Sequence, residues 1–214
     1  MPASTPIARS KTAALARVND CAAKGYLRYV MGEVAAEKAQ RMVAKLHLRH
    51  AIGATPGQRA VRKAAGKANA VLAVYWPEDA ARVAWMMLFT AGELDSSEPQ
   101  LRMLASKPRP QWLGYELVRR AGDGQATARA AWTWRRPRQE MSEHFALLQE
   151  LLRRRDHAAT AALLQRLAHQ PGFHGVREQT RRLCQAARHG GYAGGLPQLF
   201  YVQKVSHGER MELG

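Results

Sequence analysis

The carboxyl-terminal part of the chain combines a histidine, a tyrosine and a lysine with a glycine-rich loop, and these residue types can cleave RNA. The segment is ARHGGYAGGLPQLFYVQK. A histidine can act as general base and a lysine can stabilise the developing oxyanion without a metal ion. The residues that would carry out such a reaction are His189, Tyr192 and Lys204. A plain connection between a helix and a strand is the alternative interpretation of the same segment.

The sequence contains no complete metal-binding or cofactor-binding motif. His47 and His50 lie three residues apart in a predicted helix, but no carboxylate occurs in residues 51–77 to complete a metal site with them. His50 also falls on the apolar face of that helix, where a buried histidine is typical. With two cysteines in the chain, a cysteine-rich zinc site is excluded. We therefore expect no metal and no cofactor, and we favour a protein without catalytic activity over the ribonuclease.

Net charge is the strongest signal in the composition. Lysine and arginine number 33 against 17 aspartates and glutamates, which gives a formal net charge of +16 on 214 residues. Solubility of a small domain needs a net charge of only about 2–8. A larger excess attracts polyanions, because cations that neutralise phosphates release condensed counterions. The composition predicts nucleic acid, either DNA or RNA, as the partner, with acidic proteins as the alternative.

Part of this charge is concentrated on predicted helices. From Lys38 to Pro77 the sequence has no acidic residue but eight lysines and arginines. Like charges at helical spacing repel one another unless an anion lies against them, and solvated helices usually alternate acids with bases. The candidate phosphate contacts are Lys38, Arg41, Lys45 and Arg49 on one helix and Arg59, Arg62, Lys63 and Lys67 on the next. A later helix carries a similar stripe of Arg177, Arg181 and Arg188.

Two of the five tryptophans lie in the segment AWTWRRPRQ, directly before three arginines. In a β-strand Trp132 and Trp134 point to one face, whereas Thr133 points to the other. Because alanines share the tryptophan face, we expect the tryptophans in the core and the arginines outside. The arginines that could contact phosphates here are Arg129, Arg135, Arg136 and Arg138.

The elements that would position these residues indicate an α+β fold. Apolar, β-branched and aromatic runs predict strands over 26–34, 69–77, 82–92, 115–121, 128–136 and 199–205. Helical periodicity predicts helices over 35–51, 56–68, 139–155, 157–169 and 174–189. Thr55, Pro56 and Gln58 form a predicted capping box at the start of the second helix. The expected architecture is an antiparallel sheet of about five or six strands, with an N-terminal basic helix pair and a C-terminal three-helix segment.

The chain divides by character into three stretches. We expect a basic N-terminal arm over 1–24, a sheet-containing core with the basic helices over 25–138, and a helical segment over 139–214 that closes with a short strand and joins the same domain. The longest uncharged apolar run, Val83–Ala91, cannot span a bilayer. The amino terminus lacks the apolar segment of a signal peptide. We therefore expect a cytoplasmic protein without a membrane partner.

The function that these features predict is nucleic-acid binding, mainly through phosphate contacts. The alanine- and arginine-rich composition indicates a GC-rich bacterial gene. Replication or maintenance of a bacterial replicon or mobile element is the expected role, or service as a subunit of a nucleoprotein complex with other proteins. The alternative is a metal-independent endoribonuclease that uses the histidine, tyrosine and lysine of the carboxyl-terminal segment.

Overall fold

The structure, a computed structural model, describes residues 4–98, 100–120, 131–202 and 209–212. The described elements, in chain order, are β1 (Ser4–Ala8), α1 (Lys11–Ala23), β2 (Arg28–Ala35), α2 (Ala36–His50), α3 (Pro56–Ala64), β3 (Ala70–Tyr75), β4 (Arg82–Phe89), β5 (Arg102–Met103), β6 (Gln111–Trp112), β7 (Tyr115–Arg120), β8 (Ala131–Arg135), α4 (Arg138–Arg153), α5 (His157–Ala168), α6 (His174–His189) and β9 (Arg210–Glu212). The predicted α+β class is confirmed. None of the helices in the described ranges combines the length and apolar composition needed to cross a bilayer.

The chain forms two compact units, Met1–Arg109 with Val205–Gly214, and Pro110–Lys204. The first unit holds a six-stranded sheet in the order β5-β2-β4-β3-β1-β9. Its described strand pairs are antiparallel except for β1 with β3. The boundaries differ from the expected division at residue 138, because the second unit begins before the β7–β8 hairpin and the last strand returns to the first unit.

The β3–β4 hairpin forms the centre of the first unit, as the apolar runs predict. Five of the six residues of β3 are buried. One face of the sheet packs against α2 through Ala39, Val43 and Leu46. Burial of the apolar stripe leaves the opposite face of α2 for charged side chains, so the basic helix has the predicted amphipathic arrangement.

Residues 4–23 are part of the core and do not belong to the predicted arm. β1 pairs with β3 and β9, and Ala14, Leu15 and Val18 of α1 are fully buried. Ser10 begins α1, where its Oγ accepts a hydrogen bond from Ala13 N at 3.2 Å. The buried face of α1 consists largely of alanine. Because alanine is only weakly hydrophobic, the sequence pattern of this basic segment gives little indication that the helix belongs to the core.

The predicted capping box begins α3. Thr55 Oγ1 accepts from Gln58 N at 3.3 Å, and Gln58 Oε1 accepts from Thr55 N at 2.8 Å. Pro56 occupies the first turn, where its missing N–H is not needed. No residue of α3 is buried, so its order depends on its caps more than on packing.

The second unit contains the three-stranded sheet β6-β7-β8 and the predicted three-helix segment, α4 to α6. The predicted hairpin is confirmed by pairs such as Leu117 with Trp134, although its predicted turn lies outside the described residues. The hairpin belongs to its own sheet and not to the predicted single sheet. Trp134 is fully buried, and Asp156 caps α5 by accepting from Ala159 N at 2.9 Å.

The predicted strand over 199–205 is wrong where the structure describes it. Residues 199–202 lie outside any strand, and 203–205 are beyond the described ranges. Val202 N donates to Gly172 O at 3.3 Å, a single backbone bond in place of a ladder. The carboxyl-terminal strand is instead β9, which pairs with β1.

Candidate nucleic-acid interface

The exposed face of α2 carries the least neutralised cations of the predicted interface. Lys38, Arg41 and Lys45 are exposed, and none of them forms an ion pair or side-chain hydrogen bond with another described residue. From Lys38 to Lys45 the helix rises about 10 Å, at about 1.5 Å per residue. The row is therefore free to contact an external polyanion along two turns of helix.

The acid-free stretch of sequence is not free of acids in space, because the loop after β4 folds back onto it. Arg62 and Lys67 both pair with Asp95, Lys67 Nζ at 3.3 Å from the carboxylate. Burial alone would raise the pKa of Asp95, but hydrogen bonds from Arg62 and Lys67 outweigh it and lower that pKa. Arg49 lies 3.8 Å from the carboxylate of Glu98 and donates to Ser96 Oγ at 2.9 Å. These three cations are therefore partly neutralised, contrary to the sequence argument.

A cavity of about 1610 Å³ opens in the first unit, where His47 and Leu48 of α2 line it. β1 pairs with β3 at Ile7 and Ala8, whereas Ser4–Pro6 pair with β9. The cavity lies at the point where β1 diverges from β3, and Ser4–Pro6 line it there. None of the described residues that line the cavity is an aspartate or a glutamate. Its cationic lining residues are Arg17, Lys24, Arg59, Arg62 and Arg210.

Arg17 is the cation whose environment departs furthest from that of an ordinary surface arginine. Its half-buried side chain donates from Nε to Leu72 O at 2.9 Å, while its two Nη groups make no hydrogen bond to a described residue. Burial lowers the pKa of Arg17, and the like charges of Arg210 and Arg59 lower it further, whereas Cys21 and Asp20 oppose this shift only in part. A desolvated guanidinium beside two others, without an ion-paired carboxylate in the described chain, is energetically costly unless an anion binds.

Arg59 and Arg210 are only partly satisfied by the protein. Arg59 Nη2 donates to Ile52 O at 3.4 Å, and its buried Nε has no hydrogen-bond partner in the described chain. Arg210 donates from Nε to Ser4 Oγ at 2.7 Å and from Nη2 to Ser4 O at 3.1 Å. Each guanidinium thus keeps N–H groups that a ligand could use.

Sequence reasoning found Arg59 but missed Arg17, Lys24 and Arg210. A signal for the first two existed, because Arg17, Cys21 and Lys24 are spaced four and three residues apart and share one stripe of α1. Arg210 carried no comparable signal, since its place depends on pairing between strands at opposite ends of the chain.

The two histidines of α2 have separate structural surroundings. His47 Nε2 lies 2.5 Å from Thr5 Oγ1 at the cavity wall, and burial, followed by the charge of Arg210, lowers its pKa. His50 packs edge-on against Phe89 and lies 2.8 Å from Glu98 Oε1. Within the described ranges no group of three or more histidine, cysteine, aspartate or glutamate side chains is arranged to hold a metal ion.

Arg136 lies in the core of the second unit and is not available as a phosphate contact. The side chain is 0% exposed, and burial lowers its pKa. Its guanidinium donates to Gln170 Oε1 (2.6 Å), Val176 O (3.2 Å), Leu167 O (3.0 Å) and Thr180 Oγ1 (2.9 Å). Arg136 therefore joins β8 to the helices and cannot reach a phosphate in this fold.

Three other arginines of the second unit that were predicted to contact phosphates already interact with protein groups. Arg135 Nε donates to Glu116 at 2.8 Å. Arg177 lies 3.4 Å above the ring of Tyr201, and Arg188 Nη1 donates to the backbone carbonyl of Tyr192 at 2.8 Å.

The other predicted phosphate contacts of the second unit are Arg129, Arg138 and Arg181. Arg138 and Arg181 are exposed, and neither side chain forms an ion pair with a described residue. Arg129 lies outside the described residues. Arg138 and Arg181 are therefore the cations of this unit that are most available to an external anion.

The structure describes two of the three residues of the alternative ribonuclease site. His189 is exposed at the end of α6, whereas Tyr192 is 4% exposed and its hydroxyl donates to Gly195 O at 3.4 Å. The tyrosine thus has a structural role in the glycine-rich turn. Lys204 lies outside the described residues, and the ribonuclease stays a prediction.

The candidate interface of the first unit consists of the α2 row and the cavity beside α3. No protein-family model, curated protein sequence or solved structure matches the chain. The chemistry of these side chains is therefore the basis for assigning a function. Unpaired lysines and arginines on a helix whose other face is buried, together with a cation-lined cavity, are suited to binding phosphate groups.

Proposed function

We propose that this protein binds nucleic acid, mainly through contacts with the phosphate backbone. One observation carries the proposal: Lys38, Arg41 and Lys45 form an exposed row without acidic partners in the described chain, on a helix whose other face is buried. Lys63 extends this positive surface onto α3, where it is also exposed. A net charge of +16 supports the same conclusion.

The length of the row fits a nucleic-acid strand. One strand of DNA carries a phosphate about every 3.4 Å along the helix axis. The roughly 10 Å between Lys38 and Lys45, at about 1.5 Å per residue, therefore corresponds to about three phosphates. Contacts of this kind position a protein on DNA or RNA without reading the base sequence.

The proposed setting is the bacterial cytoplasm. The protein would serve the replication or maintenance of a replicon or mobile element, or act within a nucleoprotein complex. The support for this part is the basic composition and the alanine- and arginine-rich sequence, which is typical of a GC-rich bacterial gene.

The proposal is tested by removing the α2 row. The triple variant Lys38→Gln, Arg41→Gln, Lys45→Gln should bind single-stranded or duplex oligonucleotides at least about tenfold more weakly near physiological salt, because about three phosphate contacts are lost. Fluorescence anisotropy with unlabelled competitor measures the affinity. Circular dichroism and thermal unfolding should be unchanged, since the three side chains are exposed.

A matched control removes the same charge elsewhere. Arg153, Arg154 and Arg155 are exposed at the end of α4, and the first two pair with Glu150. Their triple glutamine variant should bind nearly as well as the wild type. Equal losses in the two triple variants would show that net charge alone attracts nucleic acid and would contradict the proposed interface.

A further inference from the structure

The cavity of the first unit contains a cation cluster that phosphate-backbone binding by α2 leaves unexplained. Four of its cations, Arg17, Lys24, Arg59 and Arg210, form no ion pair with a described residue, and no carboxylate lines the cavity among the described residues. Repulsion between clustered like charges destabilises a fold in the absence of a counter-anion. Such a cluster is therefore typical of a binding site for an anionic group.

We propose that this cavity binds a phosphomonoester, with Arg17, Arg59 and Arg210 around the phosphate. The proposal rests on the proposed function for the source of the ligand, which is the phosphorylated end of a bound nucleic-acid strand. A free nucleotide offers the same phosphoryl group, and the experiment below distinguishes the two.

Arg17 is better oriented to bind a phosphate than a mobile surface arginine would be. Its Nε is fixed to Leu72 O at 2.9 Å, so the planar guanidinium is oriented before any ligand arrives. The Nη groups remain to form charge-assisted hydrogen bonds, which are stronger and more directional than those of neutral donors. Orientation by the sheet lowers the entropy cost of binding.

The number of cations favours a terminal phosphate over an internal one. A phosphodiester carries one negative charge, whereas a phosphomonoester carries about 1.5 to 2 near neutral pH. The larger negative charge of the monoester neutralises the three guanidinium groups and the ammonium of Lys24 more completely. Thr5 and His47 add neutral hydrogen-bonding groups to the wall.

The rest of the cavity has room and apolar surface for the nucleotide that bears the phosphate. A volume of about 1610 Å³ exceeds the roughly 300–1,000 Å³ of pockets for drug-sized molecules. Leu48 and Val61 line it with 89% and 70% of their surfaces exposed. Apolar side chains at these positions can cover the face of a base without selecting its identity.

The test compares three oligonucleotides of one sequence that carry a 5′-phosphate, a 3′-phosphate or hydroxyl groups at both ends. One phosphorylated end should bind at least tenfold more tightly than the hydroxyl-ended strand. In Arg17→Gln and Arg59→Gln all three strands should bind with equal affinity. Arg166→Gln, which removes an exposed charge from α5, should keep the full preference.

Folding is checked by thermal unfolding, because Arg17 also bonds to the sheet. If Arg17→Gln unfolds, Arg59→Gln and Arg210→Gln decide the question, since Arg59 lies on an exposed helix and Arg210 at an edge strand. Retention of the end preference in folded variants at these positions would overturn the proposal.

Further outcomes separate this proposal from the proposed function. Equal affinity of the wild type for all three strands overturns the phosphomonoester site but leaves nucleic-acid binding intact. Binding of nucleoside monophosphates that is lost in Arg17→Gln, without binding of any strand, supports the site with a free nucleotide as its ligand and refutes the proposed function. Failure of strands, nucleoside monophosphates and inorganic phosphate to bind refutes both.

Discussion

Arg17 and Arg136 show how differently two arginines with lowered pKa values can serve a protein. Burial is the main cause for both, but Arg136 donates hydrogen bonds from Nε and both Nη groups, whereas Arg17 donates to the described chain only through Nε. A guanidinium with satisfied donors holds the fold together. One with free donors beside other cations is available to a ligand.

Removal of Arg136 should destabilise the protein without a direct effect on binding. Arg136→Ala leaves buried acceptors unpaired, so unfolding free energy should fall by about 3–5 kcal/mol, as for other buried charged networks. Urea denaturation measures the change. Arg138→Ala, at an exposed position two residues later, should stay within about 0.5 kcal/mol of the wild type. A stable Arg136→Ala variant with lost nucleic-acid binding would contradict the structural role.

The burial of Arg136 could have been predicted in part from the sequence. Strand alternation puts Trp132 and Trp134 on one face, and the same alternation carried one step further puts Arg136 on that core face. The Trp134 prediction is confirmed by its complete burial. What the sequence cannot supply is the set of acceptors on α5 and α6, since these come from segments 31 to 44 residues away.

At the scale of elements, local signals predicted more than long-range ones. The capping box of α3, the amphipathic α2 and the β3–β4 hairpin depend on residues close in sequence, and each is found as expected. The assignment of β7 and β8 to a separate sheet depends on which strands meet in space. The partial neutralisation of Arg62 and Lys67 depends likewise on a loop that returns from β4.

The cap of α3 should control the order of one wall of the cavity. Thr55→Ala removes a side-chain acceptor from the first turn, at a cost of about 1 kcal/mol. Because α3 has no buried residue, hydrogen exchange of its amides should accelerate about fivefold, while that of α2 stays the same. Unchanged exchange in α3 would show that other contacts order this helix.

The contact between the loop after β4 and α3 should depend on acid pH. The pKa of Asp95 is lowered in the folded state, so its ion pairs add stability above the unfolded pKa of about 3.9 and lose it as pH falls through the folded pKa. Asp95→Asn should lower the melting temperature slightly at pH 7, because ion pairs near the protein surface contribute about 0.2–1 kcal/mol. The difference from wild type should shrink as pH falls below about 3.9 and vanish once Asp95 is protonated in the folded state as well. A difference that persists there would exclude these ion pairs as its cause.

For the whole molecule, the two units distribute positive charge differently. In the first unit the α2 row and four cavity cations, Arg17, Lys24, Arg59 and Arg210, form no ion pair with a described residue, although Arg9, Arg62 and Arg82 do. In the second, Arg135, Arg153, Arg154 and Arg182 pair with glutamates. Under the proposed function, the excess of +16 favours a polyanionic partner, and the placement of unpaired cations on α2 and in the cavity favours the first unit as the principal binding surface.

The salt dependence of wild-type affinity tests the central claim of phosphate binding most directly. The logarithm of the association constant for a single-stranded or duplex oligonucleotide should fall linearly with the logarithm of salt concentration. Three contacts from the α2 row predict a slope of magnitude at least about 2 to 3, at about 0.7–0.9 per phosphate. An affinity for both oligonucleotides that stays constant from about 50 to 200 mM salt would contradict phosphate-mediated binding.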